Sequence, residues 1–193
     1  MTASKKLMDS GYLVGQFLAA MPAMSDPRFE RSVIYICAHS AEGAMGLIVN
    51  KPLKDIKLPE ILSQLGIEPK TPCEQIQIHR GGPVETARGF VLHSADYERD
   101  GTLKVNSEIC LSATTDILRA IASGQGPQRS LMALGYSGWG SGQLDDEIKQ
   151  NAWLNIPGDD ELLFSEDFDK KWERVLAKIG VSPALLSGVA GHA

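Results

Sequence analysis

Two short β-branched segments separated by a polar connection constrain the fold of this chain most strongly. Residues 33–38 (VIYICA) and 45–50 (MGLIVN) are too short for buried helices and are rich in residue types that favour strands. The connection between them contains Gly43, which permits a tight reversal of the backbone. The pattern predicts a β-hairpin and therefore an antiparallel sheet.

Further apolar runs extend this prediction. Residues 12–20 contain a short apolar run interrupted by a glycine, which favours a buried strand. Residues 76–79 and 89–93 are strand-like and are joined by the sequence GGPVETAR, whose Gly-Gly-Pro is typical of a turn. We therefore expect a second hairpin at this place.

Other segments have the apolar period of a helix, in which residues three and four positions apart share one face. The residues that carry this pattern are Leu58, Ile61, Leu62 and Leu65, then Ile117, Leu118 and Ile121, and then Phe168, Trp172, Val175 and Leu176. Hairpins mixed with helices predict an α+β fold, because a parallel βαβ fold would alternate the two regularly. No Pro-, Gly- or Ser-rich linker divides the chain, so a single domain over residues 1–193 is expected.

The charge and the cysteines exclude several classes of protein. The formal net charge is −5, and no basic run is longer than a pair such as Lys5-Lys6, so direct binding of nucleic acid is disfavoured. The three cysteines form no CxxC pair, which argues against a disulfide framework and a zinc knuckle. No apolar run approaches the roughly 20 residues of a membrane span, and no leader pattern opens the chain. We expect a cytoplasmic protein without membrane contact.

The segment HRGGPVETARGFVLH is the preferred candidate for a binding pocket. Its guanidinium groups and glycine amides could both bind a small anionic ligand. The alternative is a tight hairpin whose arginines pair with surface acids, and the residues alone favour this alternative. The candidate binding residues of this segment are His79, Arg80, Gly81, Gly82, Pro83 and Arg88.

A second candidate is the glycine-rich segment 135–142, which follows an apolar strand and precedes a helix with Leu144 and Ile148. We interpret it as a loop that presents amide groups to a ligand. Acidic residues in the first turn of that helix argue against phosphate, and a structural turn is the alternative. The candidate binding residues here are Gly135, Ser137, Gly138, Trp139 and Gly140.

Nucleophile and metal patterns are incomplete. Ser137 follows a strand as in a G-x-S-x-G nucleophile elbow, but Trp139 stands at the second glycine position. Cys37 and His39 could both face one side of a strand, yet no helical HxxxH or CxxC pattern supports a metal. We assign no catalytic residue, no metal and no cofactor.

Five segments follow one another over nearly the whole chain: GQFLAAMPAM from Gly15, FERSVIYICAHSAEGAMGLIVNKP from Phe29, GGPV from Gly81, RGFVLHS from Arg88 and ALGYSGWGSGQLDDEI from Ala133. In their order and spacing they together resemble the YqgE/AlgH family of bacterial proteins. The resemblance implies a bent, mostly antiparallel sheet that curls into a small barrel-like unit surrounded by helices. It implies no established activity or cofactor; the family is associated with regulation of alginate production and with a neighbouring gene for a resolvase-like protein.

Three functions follow as hypotheses. The first is a non-enzymatic module that binds a small ligand or a protein partner where the two glycine segments meet in one concavity. The second is a hydrolase-like enzyme with Ser137 or Cys37 as nucleophile and His39, His79 or His93 as base. The third is a transcriptional regulator that acts indirectly, since no helix-turn-helix pattern is present.

Overall fold

The computed structural model describes residues 12–187. A 3₁₀ helix spans Pro27–Phe29. The strands and helices in chain order are β1 (Phe17–Ala20), β2 (Val33–Ser40), β3 (Gly43–Ile48), α1 (Leu58–Gln64), β4 (Ile78–Arg80), β5 (Val84–Ser94), β6 (Leu103–Lys104), β7 (Ile109–Ser112), α2 (Thr115–Ser123), β8 (Ser130–Gly140), α3 (Gln143–Lys149), β9 (Trp153–Ile156), α4 (Asp160–Leu163), α5 (Phe168–Ala177) and α6 (Pro183–Ser187).

The described residues divide into two compact units. Unit 1 takes its residues from the ranges Met1–Gly46 and Gly138–Ala193, and unit 2 is Leu47–Ser137. The chain passes from one unit to the other inside β3 and again inside β8. A single domain over residues 1–193 stays a prediction.

The sheet of unit 1 is centred on β1. This strand pairs antiparallel with β2 on one edge, where Leu18 faces Ile34, and with β9 on the other, where Leu18 faces Asn155. All four β1 residues are buried, which explains why the strand is a continuous apolar run. The predicted hairpin is confirmed, because β2 and β3 are neighbours joined by the two-residue turn 41–42.

The sheet of unit 2 is centred on β5, which pairs antiparallel with β7 and with β8. Val91 on β5 is directly opposite Ser112 on β7 and Met132 on β8, so these three side chains share one face of the sheet. Helices α1 and α2 contribute Leu58, Leu62, Ile117 and Leu118 to the apolar cluster that contains Val91 and Met132. This layer is the core of unit 2.

The predicted second hairpin is wrong. Met132 and Leu134 of β8 pair in parallel with β4, and the same two residues pair antiparallel with β5. A strand has two edges, so β4 and β5 lie on opposite edges of β8 and do not pair with each other. Residues 81–83 carry the chain across β8. They can cross because Gly81 and Gly82 lie against the backbone of β8, at Gly135 and Tyr136.

The glycine-rich segment after the core strand also differs from its prediction. Residues 135–140 are strand and not loop, because β8 continues to Gly140 before α3 begins at Gln143. The helices are confirmed: α2 begins after Thr114 and ends at Gly124 in the left-handed conformation, and α5 buries Trp172 and Val175. The predicted α+β class with a bent, mostly antiparallel sheet is confirmed. Among the described residues, no helix is both long and apolar enough to cross a membrane.

Lys171 on α5 is fully buried in unit 1. Its ammonium group donates a hydrogen bond of 2.8 Å to the Leu163 carbonyl, and it lies 5.2 Å from the centre of the Phe168 ring. Burial, with a smaller contribution from Arg174, lowers the pKa of Lys171 from 10.5 to about 7.

This burial predicts a specific pH dependence of stability. Between pH of about 7 and 10.5 the unfolded chain binds a proton at Lys171 and the folded chain does not, so the free energy of unfolding should rise with pH. Relative to Lys171→Met, we expect wild-type stability to gain roughly 2–4 kcal/mol across this window. Urea unfolding at several pH values measures the difference. Lys170→Met removes an exposed lysine of the same helix as a control, and parallel curves for wild type and Lys171→Met would refute the prediction.

Candidate functional site

The 81–83 segment and β8 meet through backbone contacts inside unit 2. A Cβ atom on Gly81 would overlap the Gly135 carbonyl oxygen, and one on Gly82 would overlap the backbone of Tyr136. Gly135 has a φ of 75°, a conformation that side chains rarely adopt. The crossing therefore requires glycine, and it leaves no space for a ligand between the two backbones.

Two buried side chains hold this crossing. The Ser137 hydroxyl donates a hydrogen bond of 3.1 Å to the Gly81 carbonyl, and Nδ1 of His79 lies 3.3 Å from the Met132 carbonyl, which can only accept. The structure thus brings together His79, Gly81, Gly82, Gly135 and Ser137.

The two arginines of the predicted pocket are exposed. Arg88 lies in an interruption of the β5–β8 pairing between Val84 and Gly89, where its guanidinium is 3.4 Å from Glu85 and 5.1 Å from the centre of the Phe90 ring. Its side chain is half-exposed, so this ion pair contributes little to stability. Arg80 is exposed, and its backbone amide donates a hydrogen bond to the Lys51 carbonyl. Pro83 is half-buried.

The last three candidate residues, Gly138, Trp139 and Gly140, belong to unit 1. Trp139 is buried, and its indole N–H donates to the Glu147 carboxylate at 2.9 Å. Trp153 donates to the same oxygen at 2.8 Å, and the two indole rings meet edge to face. Trp139 therefore contributes to the packing of unit 1.

The two nucleophiles proposed from sequence lack a base among the described residues. Ser137 donates to a carbonyl group, and the Cys37 thiol is buried 3.7 Å from the Tyr35 carbonyl. Burial raises the pKa of Cys37 far above its ordinary value, which suppresses the reactive thiolate. His39 instead accepts a hydrogen bond of 3.0 Å from the Leu13 amide.

A serine and a histidine that the sequence did not connect are hydrogen-bonded in unit 2. Nε2 of His93 lies 2.8 Å from Oγ of Ser112, and Nδ1 lies 2.9 Å from the Ser94 carbonyl. A carbonyl oxygen can only accept, so Nδ1 carries the proton and Nε2 presents its lone pair. The Ser112 hydroxyl must then donate to Nε2.

The surroundings of this pair keep the imidazole neutral. Burial lowers the pKa of His93, against smaller opposing effects of the Ser94 carbonyl and the Asp96 carboxylate. Oγ1 of Thr102 accepts from the Arg99 amide at 3.1 Å and lies 3.4 Å from Oγ of Ser112, so it can donate to the serine in turn. The hydrogen bonds therefore run in one direction from Arg99 to Ser94.

Ser112 lines a cavity of about 470 Å³ between the sheet face, α1 and the start of α2. Apolar side chains form most of its wall: Ile56, Ile61, Leu65, Ala87, Val91, Ala113, Ile117, Leu118, Met132 and Leu134. Its polar groups are Glu60, Gln64, Ser112, Thr114 and Thr115, and Glu60 is the one charged residue in this lining. Among the residues that the structure describes, no cluster of three or more His, Cys, Asp or Glu side chains could hold a metal.

Ser112 is placed by a strand-to-helix transition. It is the last residue of β7, and α2 begins three positions later at Thr115. The amide groups of a first helical turn have no acceptor within the helix, and the side chain of Thr114 forms no capping hydrogen bond to them. A strand followed by serine and then by a helix start was present in the sequence, and this signal could have nominated Ser112 as it nominated Ser137.

A family model described as AlgH-like matches residues 17–184. The chain belongs to the AlgH-like family. This confirms the resemblance found in the sequence. Two relatives named UPF0301 proteins are each 55% identical: one from Rhodospirillum rubrum over 183 residues, covering 95% of each chain, and one from Bradyrhizobium diazoefficiens over 192 residues, covering 95% of this chain and 90% of the relative.

Two solved structures resemble this member of the family. The solution structure of the AlgH protein from Pseudomonas aeruginosa is 44% identical, has a TM-score of 0.78, and is matched over 95% of this chain and 97% of that one. A crystal structure from Corynebacterium diphtheriae is 19% identical with a TM-score of 0.70, covers 92% and 94% of the two chains, and shows a shared fold alone. The names of these proteins state no activity, so the comparisons establish family and fold.

The glycine crossing predicts a large difference between two glycine substitutions. Gly82→Ala forces a methyl group into the Tyr136 backbone and should destabilise the protein by about 3 kcal/mol or more. Gly66→Ala has open space around the added atom and a φ of 69°, so it should cost only about 1–2 kcal/mol. Chemical unfolding of both variants measures the difference. Equal costs would mean that the crossing tolerates a side chain.

The shared carboxylate predicts that Glu147→Ala destabilises unit 1. The change leaves two buried indole N–H groups without their acceptor, at a cost of about 2–4 kcal/mol. Glu147→Gln keeps an accepting oxygen and should restore most of the loss. Unfolding followed by tryptophan fluorescence measures both variants, with the exposed neighbour Asp146→Ala as control. The prediction is wrong if Glu147→Ala matches this control.

Proposed function

We propose that this chain binds a small, neutral, mainly apolar molecule in the cavity of unit 2. The observation that carries the proposal is the open cavity of about 470 Å³, whose walls are mainly apolar and whose lining includes the hydroxyl-bearing residues Ser112, Thr114 and Thr115. Ligand sites typically have this size and a few placed polar groups in an apolar lining. The proposal keeps the small-ligand class expected from the sequence and moves the site to a different face of unit 2.

The chemistry of the lining selects the ligand class. Val91, Met132 and Leu118 offer apolar contact, and Ser112 and Thr115 offer hydrogen bonds to one polar group of a ligand. Glu60 is negative, and no lysine or arginine belongs to the lining, so an anionic ligand would gain no ion pair there. A neutral ester, amide or alcohol with an apolar body fits best.

The remaining sequence-based expectations accompany this proposal. Ligand binding at His79, Arg80, Gly81, Gly82, Pro83, Arg88, Gly135, Ser137, Gly138, Trp139 and Gly140 stays a prediction. The three cysteines are buried and form no disulfide among themselves, which is in line with the cytoplasmic location that we propose. Indirect action in transcription and an unknown protein partner stay predictions as well.

The binding of a neutral fluorescent probe tests the proposed function. N-phenyl-1-naphthylamine should bind wild type saturably, with one probe per chain, because its rings match the apolar walls. Ala113→Phe places a large side chain in the lining and should weaken binding at least tenfold. Ala177→Phe adds the same group at an exposed position on α5, outside this lining, and should bind as wild type does. Absent binding, or equal binding by all three proteins, would refute the cavity as the site.

A further inference from the structure

A histidine nitrogen accepts the hydrogen bond of the buried Ser112 hydroxyl at the wall of a cavity. We propose that the unit 2 cavity hydrolyses small neutral esters, with Ser112 as nucleophile and His93 as general base. The proposal rests on the proposed function, because the ester must occupy the same cavity. It departs from the non-enzymatic role that the sequence favoured.

Three groups have the arrangement that nucleophilic catalysis needs. The nucleophile and base are 2.8 Å apart, and the base is oriented by a third group, the Ser94 carbonyl, 2.9 Å from Nδ1. A backbone carbonyl here fixes the imidazole tautomer, as a carboxylate does in serine hydrolases. Thr102 supports the serine from the other side at 3.4 Å.

Register explains why these groups converge. Val91 is opposite Ser112 and His93 is opposite Cys110, so His93 and Ser112 occupy neighbouring positions on one face of the sheet. That face also carries Gly89 and Met132 of the cavity lining. The nucleophile is therefore on the substrate side of the sheet.

The start of α2 supplies the donors for the oxyanion. Thr114 and Thr115 line the cavity directly after the nucleophile in the chain, and the side chain of Thr114 leaves the first amide groups of α2 without a capping hydrogen bond. Developing negative charge on an ester oxygen is stabilised by such amides. A neutral ester gains this stabilisation only in the transition state, which is where catalysis requires it.

The reaction balances as a two-step acyl transfer. Oγ of Ser112 attacks the ester carbonyl carbon, and its proton passes to Nε2 of His93; the carbon–alkoxy bond breaks, and Nε2 returns the proton to the departing alcohol. Water then attacks the acyl carbon and gives a proton to Nε2. The acyl–Oγ bond breaks, Oγ regains the proton, and a carboxylic acid leaves. The sum is ester plus water giving acid plus alcohol.

Covalent labelling identifies the nucleophile without any variant. A fluorophosphonate probe incubated with the full chain should modify Ser112 in preference to every other serine, as read by peptide mass spectrometry. The label should form more slowly as pH falls below the ordinary range of histidine, because protonated His93 cannot accept the serine proton. Equal slow labelling of exposed serines, with none on Ser112, overturns the proposal.

Variants separate catalysis from folding. Ser112→Ala should abolish labelling and hydrolysis of p-nitrophenyl butyrate, and His93→Gln should lower both at least 100-fold. Ser32→Ala is the matched control, because Ser32 is fully buried in unit 1 and its hydroxyl has no hydrogen-bond partner among residues 12–187. This control should label and hydrolyse as wild type does; hydrolysis that survives in Ser112→Ala overturns the proposal.

Binding of N-phenyl-1-naphthylamine distinguishes failure of the two proposals. If wild type binds the probe but neither labels nor hydrolyses, the cavity binds ligands and the esterase proposal is wrong. If Ser112 labels but the probe does not bind, the nucleophile is supported and the apolar-ligand proposal fails.

Discussion

The close approach of the 81–82 backbone to β8 is the constraint on which the architecture of unit 2 depends. Because Gly81, Gly82 and Gly135 have no side chains, the chain can cross β8 and pair with both of its edges. This places β5 between β8 and β7, and the β5–β7 register then brings His93 next to Ser112. The close contact between backbone segments thus sets the position of the reactive side chains His93 and Ser112.

Elements defined by local patterns were predictable from the sequence. The helix α2 has an apolar face, a threonine before its first turn and a glycine after its last, and each signal lies within a few residues of the helix. The predicted second hairpin is wrong because 76–79 and 89–93 are near in sequence, while each pairs with β8, which is distant: Ile78 and Val91 both pair with Met132. Likewise, glycine disfavours strands locally, and the strand at residues 135–140 depends on partners distant in sequence, as where Tyr136 pairs with Val84 of β5.

The candidate site shows the same difference between what local sequence patterns predict and what pairing between distant residues decides. The sequence nominated His93 as a base and considered a serine between a strand and a helix, but it chose Ser137 because of the neighbouring glycines. Those glycines serve the crossing, and the Ser137 hydroxyl serves it too by donating to Gly81. The partner of His93 depends on the register of β5 against β7, which no local pattern of residues encodes. Membership of the AlgH-like family indicates the fold, whereas the contact between His93 and Ser112 follows from this register.

The location of Trp139 and Trp153 in unit 1 has a practical consequence for spectroscopy. All three tryptophans of the chain, these two and Trp172, fall in unit 1, and residues 47–137 contain none. Selectively excited indole emission is therefore an optical signature of one unit alone, and a tryptophan engineered elsewhere would give the second unit a separate signal. The two halves of the chain can in this way be followed independently as they melt, which would show whether they unfold as one cooperative body.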